Sequence, residues 1–134
     1  MRREEFLAPE LEEPIGHYCD AVRLGDLVFV SGAMPVDKAG ELVAAGDFAD
    51  QARRCLENLG YALRAAGSDF AAVAKLTIYV TDFADAPALT PVRREFFGAV
   101  RPAATLVEIQ ALAHPEMKVE IDAIAGAVEA TGAS

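Results

Sequence analysis

The stretch Asp47-Phe48-Ala49-Asp50-Gln51-Ala52-Arg53-Arg54-Cys55-Leu56-Glu57-Asn58-Leu59-Gly60-Tyr61-Ala62-Leu63-Arg64-Ala65-Ala66-Gly67, followed after a short connection by Lys75-Leu76-Thr77-Ile78-Tyr79-Val80-Thr81, decides the fold. In the first part Phe48, Ala52, Cys55, Leu56, Leu59, Leu63 and Ala66 recur at steps of three and four, which lays one apolar stripe along a helix. Arg53, Arg54, Glu57 and Arg64 fall mostly off that stripe. Asp47 is a good N-cap and Gly67 sits where a C′ residue belongs. A helix of about 19 residues is roughly 28 Å long. In the second part Leu76, Ile78 and Val80 alternate with Lys75, Thr77, Tyr79 and Thr81, the period of a strand with one polar face. One amphipathic helix therefore feeds one half-buried strand.

Working outward, Ala21-Val22-Arg23-Leu24, Gly25-Asp26 and Leu27-Val28-Phe29-Val30 read as strand, tight turn and strand. Ser31-Gly32 ends the second strand, and Glu41-Leu42-Val43 reads as a short further strand. Downstream, Leu89, Val92, Phe96 and Phe97 mark a second helix that ends at Gly98. Asp85 or Thr90 is its expected cap, with Pro91 in the first turn. Two last strands are expected over 104–110 and 117–125, with His114-Pro115 in the turn between them. The order is β-β-(β)-α-β-α-β-β. Two helices cannot cover both faces of such a sheet, so the expected fold is α+β, a mixed five- to six-stranded sheet with two helices on one face. The strand Leu27–Val30 is apolar on both sides. Its second face needs a cover, which predicts a homo-oligomer.

The bulk numbers fit this reading. The chain has 134 residues, 53% of them hydrophobic, enough for one domain with its own core. Residues 1–13 read as an N-terminal arm or an early strand, and 127–134 as a flexible tail. A net charge of −9 argues against a broad nucleic-acid or anionic-membrane surface. Arg93, Arg94 and Arg101 form the main basic cluster and read as a solvated face. Cys19 and Cys55 form no metal-ligand or CxxC pattern, and Cys55 reads as a core residue. No cofactor motif and no metal site is present in the pattern. With no apolar leader and no run long enough to span a bilayer, a cytoplasmic setting is expected.

Glu120 and Asp122 lie two apart on a strand and share one face. Glu108 is expected beside them as a hairpin neighbour. Carboxylates crowded on a partly buried face repel, so at least one pKa should rise, and such a group can hold or activate water. The bland alternative is a solvated or cation-paired carboxylate. Ser31-Gly32 would let a ligand approach the backbone closely. Neither His17 nor His114 can be placed beside Ser31, so no serine-hydrolase triad is read.

Five ordered blocks carry a family resemblance. Ile15-Gly16-His17-Tyr18 resembles an I-G-P-Y opening, and Leu27 through Pro35 resembles a strand ending S-G-Q-x-P. Gln51 through Asn58 resembles a Q-x-x-x-x-L-x-N helix motif. Arg101-Pro102-Ala103-Ala104-Thr105-Leu106-Val107-Glu108 resembles a P-A-R-x-x-V-E stretch, and Lys118 through Ala125 resembles a closing V-E-I-E-A-I-A signature. Together, over roughly residues 14–126, the chain resembles the Rid (YjgF-type) superfamily. The resemblance implies a chorismate-mutase-like α+β fold and a homotrimer with ligand clefts between subunits. It implies RidA-like hydrolysis of enamines and imines with release of ammonia, with Glu120 on the water. It places Tyr18, Ser31, Gly32, Ala104 and Leu106 on the substrate. The family's carboxylate-binding arginine corresponds to Ala104 here. That departure implies a substrate other than 2-aminoacrylate, such as an aminomuconate-type compound, or else a non-catalytic ligand-binding or stress-associated trimer.

Overall fold

The computed structural model describes residues 1–128. Strands β1 (Arg3–Phe6), β2 (Ala21–Leu24) and β3 (Leu27–Ala33) precede helix α1 (Phe48–Ala65). Strand β4 (Val73–Val80), helix α2 (Leu89–Phe97), β5 (Ala103–Glu108) and β6 (Val119–Gly126) follow. The strands form one mixed sheet in the order β1-β2-β3-β6-β4-β5. All pairs are antiparallel except β4 with β5, which is parallel. The fold is α+β, with both helices on one face of the sheet.

The apolar stripe of α1 explains that layering. Phe48, Ala52, Cys55, Leu56, Leu59, Leu63 and Ala66 are all buried. They meet Val28 and Val30 of β3, Leu76, Ile78 and Val80 of β4, and Val119, Ile121, Ala123 and Ala125 of β6 in one core. Each leucine so buried contributes roughly 1.5–3 kcal/mol. Asp47 caps the helix as expected, its Oδ1 accepting from Asp50 N at 3.0 Å, an interaction worth about 1 kcal/mol. Gly60 gives Phe70 room against the helix: a Cβ there would stand 2.8 Å from the ring. Phe70 in turn packs edge-on against Phe97 at 5.3 Å and tilted against Phe96 at 5.6 Å. Those contacts dock α2.

Several expectations are corrected. The two last strands do not form a hairpin. β6 inserts between β3 and β4, and β5 sits at the far edge beyond β4. Glu41–Val43 is not a strand; Leu42 alone bridges to Val36. Neither Asp85 nor Thr90 caps α2. A 3-10 segment, Phe83–Ala88, runs straight into that helix, and Asp82 caps it by accepting from Ala84 N. The N-terminal arm supplies the edge strand β1. Ala127 N and Val128 N donate to Asp26 O and Gly67 O. The rest of the expected tail, 129–134, lies outside the described residues.

Candidate functional site

The end of β3 and the start of β6 build the centre of the site. Val30 pairs with Ala123 and Ala33 with Ile121, so β3 carries one extra residue at Ser31-Gly32. Bulges of this kind re-aim side chains. Ser31 N donates to Asp20 O, and Ser31 Oγ donates to Cys19 O at 2.7 Å. Asp20 is itself buried and accepts from Ala8 N at 2.8 Å through Oδ2. Burial raises its pKa despite that hydrogen bond. The loop carrying Tyr18 is thereby fastened to the bulge.

Gly32 faces the Glu120 carboxylate. A Cβ on Gly32 would fall 2.1 Å from Glu120 Oε2. No side chain fits there unless Glu120 moves. Glu120 is half-buried and pairs across the sheet with Tyr79, so it stands on the face away from the helices. Its carboxylate forms no hydrogen bond or ion pair among the described residues. Its pKa is raised, first by loss of hydration and second by the nearby Asp122 charge. Asp122 shares the face, as the spacing predicts, and accepts a hydrogen bond from Tyr79 Oη at 3.1 Å. Burial and the same carboxylates push the Tyr79 phenol up, so it remains a neutral donor.

Glu108 is not part of this group. It aligns with Val80 and Val119, on the helix side of the sheet. Its Oε1 accepts from Phe83 N at 2.9 Å and anchors the start of the 3-10 segment. The expectation of three carboxylates on one face fails because the register through β4 puts Glu108 on the helix side, whereas Glu120 and Asp122 face the other way.

Tyr18 and Ser31 line two hollows. One is small, about 50 Å³, and shared with Gly32 and Asn58. The other is wide, about 670 Å³, and open beside Arg3, Glu5 and His17. His17 and Ser31 thus share a concavity. Yet the Ser31 hydroxyl proton is given to a backbone carbonyl, and His114 Nδ1 accepts from Glu116 N in the β5–β6 connection. The His114 ring is thus engaged in the β5–β6 connection, and the Ser31 hydroxyl is committed to the Cys19 carbonyl. Ala104 and Leu106 are not brought to this centre within one chain. Both lie on β5, aligned with Leu76 and Ile78 on the helix side, and Leu106 packs against the core. Three strand spacings, about 14 Å, separate β5 from β3. Among the described residues no cluster of three or more His, Cys, Asp or Glu could hold a metal ion, and no described helix is long and apolar enough to cross a membrane.

Two buried amides on α1 support the centre, and their roles are not legible from sequence. Gln51 Nε2 donates to Glu116 O at 3.0 Å, and its Oε1 accepts from Lys118 N at 2.8 Å. This fixes the chain just before Glu120. Asn58 Nδ2 donates to Met34 O and Val36 O, which fixes the chain just after Gly32. In the sequence they appear as the ends of the Q-x-x-x-x-L-x-N motif, seven apart on the edge of an apolar stripe, without assigned partners.

Comparison with known proteins identifies the family and agrees with the fold. A family profile described as Endoribonuclease L-PSP matches residues 9–127. A RutC family protein of Pyrococcus horikoshii is 38% identical over 92% of this chain and 97% of its own. The 3-aminoacrylate deaminase RutC of Acinetobacter baylyi is 34% identical over 93% of this chain and 98% of its own. Among solved structures, E. coli TdcF with bound serine superposes with a TM-score of 0.84 at 34% identity, covering 92% of this chain and 98% of that one. The chain belongs to the Endoribonuclease L-PSP family, the YjgF/Rid family, whose members include deaminases.

Proposed function

We propose that this chain is a deaminase of enamines or imines that works in a cleft between copies of itself, arranged as a homotrimer. The observation that carries this reading is Glu120: a half-buried carboxylate with a raised pKa and no ion pair among the described residues, standing against a glycine. A base of that kind suits the reaction. Water adds to the carbon of the C=N bond while Glu120 takes one of its protons, and the π electrons go to nitrogen. The nitrogen is protonated, the C–N bond breaks, and ammonia leaves behind a carbonyl group. The Tyr18 phenol and the Ser31-Gly32 backbone line the substrate's position. Ala104 and Leu106 would enter the same cleft from the neighbouring copy.

The similarity to a 3-aminoacrylate deaminase supports the reaction class. Ala104 bears on the substrate. A methyl group cannot grip a carboxylate, whereas a guanidinium does so bidentately. We infer a substrate other than 2-aminoacrylate; an aminomuconate-type compound is the candidate the family resemblance suggests, and its carboxylates would have to be held by groups other than residue 104. Ala104 also favours a second reading, a ligand-binding trimer without turnover.

Ammonia release from 2-aminoacrylate, 3-aminoacrylate and 2-aminomuconate separates the two. The deaminase reading expects turnover of at least one of the latter two in preference to 2-aminoacrylate. Glu120→Ala should reduce it by about 10²-fold or more, the usual worth of a general base. Turnover that is indifferent to Glu120→Ala removes the base, and no turnover of any of the three by the wild type favours the binding reading.

A further inference from the structure

Three arginines converge on one surface hollow away from Glu120. Arg93 and Arg94 lie on α2, and Arg101 lies in the connection from α2 to β5. With Phe97, Val100 and Pro102 they line a concavity of about 400 Å³, within the range of small-molecule pockets. Among the described residues no Asp or Glu lines it. That is unusual in a chain with 21 acidic and 12 basic residues. Elsewhere Arg2, Arg3, Arg53 and Arg54 each meet a carboxylate. The guanidinium groups of Arg93, Arg94 and Arg101 form no ion pair or hydrogen bond among the described residues. The C-terminal end of α2 opposes an anion with about half a unit of negative charge. Gly98 N and Val100 N already engage the Arg94 and Phe97 carbonyls there, and three unit positive charges outweigh what remains.

We propose that this hollow binds a small organic carboxylate with an apolar body. A guanidinium fork matches a carboxylate in geometry as well as charge. The wall of Phe97, Val100 and Pro102 gives the rest of such a ligand a surface that a compact, strongly hydrated anion would leave unused. The site stands independently of the deaminase reading, because its ligand need not be turned over.

The test is an NMR titration of ¹⁵N-labelled protein with benzoate, inorganic phosphate and benzyl alcohol. Benzoate should shift the amides of Gly98, Ala99 and Val100 saturably. Phosphate and benzyl alcohol should bind at least about tenfold more weakly, a difference of about 1.4 kcal/mol. Arg101→Met and Arg94→Met, both at exposed positions, should each weaken benzoate severalfold while the remaining amides keep their positions. The proposal is overturned if benzoate leaves these amides unmoved, if phosphate moves them equally well, or if both variants bind benzoate like the wild type.

Discussion

Glu120 and Gly32 are bound to one another by space. Gly32 does not occupy the left-handed region, so alanine could adopt its backbone conformation. The three atoms nearest a methyl group there all belong to the Glu120 side chain, whose far end is flexible. Gly32→Ala should therefore cost little stability, with a Tm within a few degrees of wild type (about 1 kcal/mol or less for a tolerated surface-strand change). It should nonetheless displace the carboxylate and reduce ammonia release by about tenfold or more, since a misplacement of about 1 Å can cost 10²-fold. Thermal melting read beside initial rates checks this. A variant that melts as the wild type and works as the wild type would mean that Glu120 need not stand where it does. Ala104 is the other residue on which the proposed chemistry turns. Its identity was legible at once, but its place was not, because it lies on the far edge strand and facing the helix side.

At the scale of elements, β3 divides its side chains between two solvents. Val28 and Val30 are buried under α1, while Leu27 and Phe29 remain 48% and 37% exposed on the opposite face beside Ile124 at 36%. An apolar row interleaved with Glu120 and Asp122 is a surface suited to a second copy of the same chain. Sedimentation should give a trimer at micromolar concentration. Phe29→Asp should give a folded monomer, because it adds a third carboxylate to that face. A wild-type monomer would remove the cleft. The same elements show what sequence could reveal. The α1 stripe and the β4 alternation are local patterns, and both are found where they were read. The β2–β3 hairpin is local too. The insertion of β6 between β3 and β4 is not, because pairings spanning about forty to fifty residues with β4 and nearly a hundred with β3 leave no periodic mark on the strands. That one misplacement carried Glu108 to the wrong face. The cap of α2 was missed because Asp82 caps a 3-10 turn upstream of the helix. Of the candidate centre, Glu120, Gly32, Ser31 and Tyr18 were legible. The clamps Gln51 and Asn58 were visible only as a motif without a role.

For the whole molecule, charge and burial act on Glu120 in the same direction. A net charge of −9 offers it no general relief, the sheet face removes water, and Asp122 adds repulsion. The folded state therefore holds the Glu120 proton more tightly than the unfolded chain does. By linkage, this group's contribution to stability is fully present below its unfolded pKa and is lost as the pH rises through its higher folded value. The base form accumulates over that same interval, so in the proposed reaction activity gains where stability gives way. Direct titration of the Glu120 carboxyl carbon by ¹³C NMR, assigned by its disappearance in Glu120→Gln, measures this without any substrate. The expected midpoint lies clearly above the ordinary glutamate value of about 4.3. A midpoint at or below that value would show a hydrated or cation-paired carboxylate, and would contradict Glu120 as the poised base on which the proposed chemistry depends.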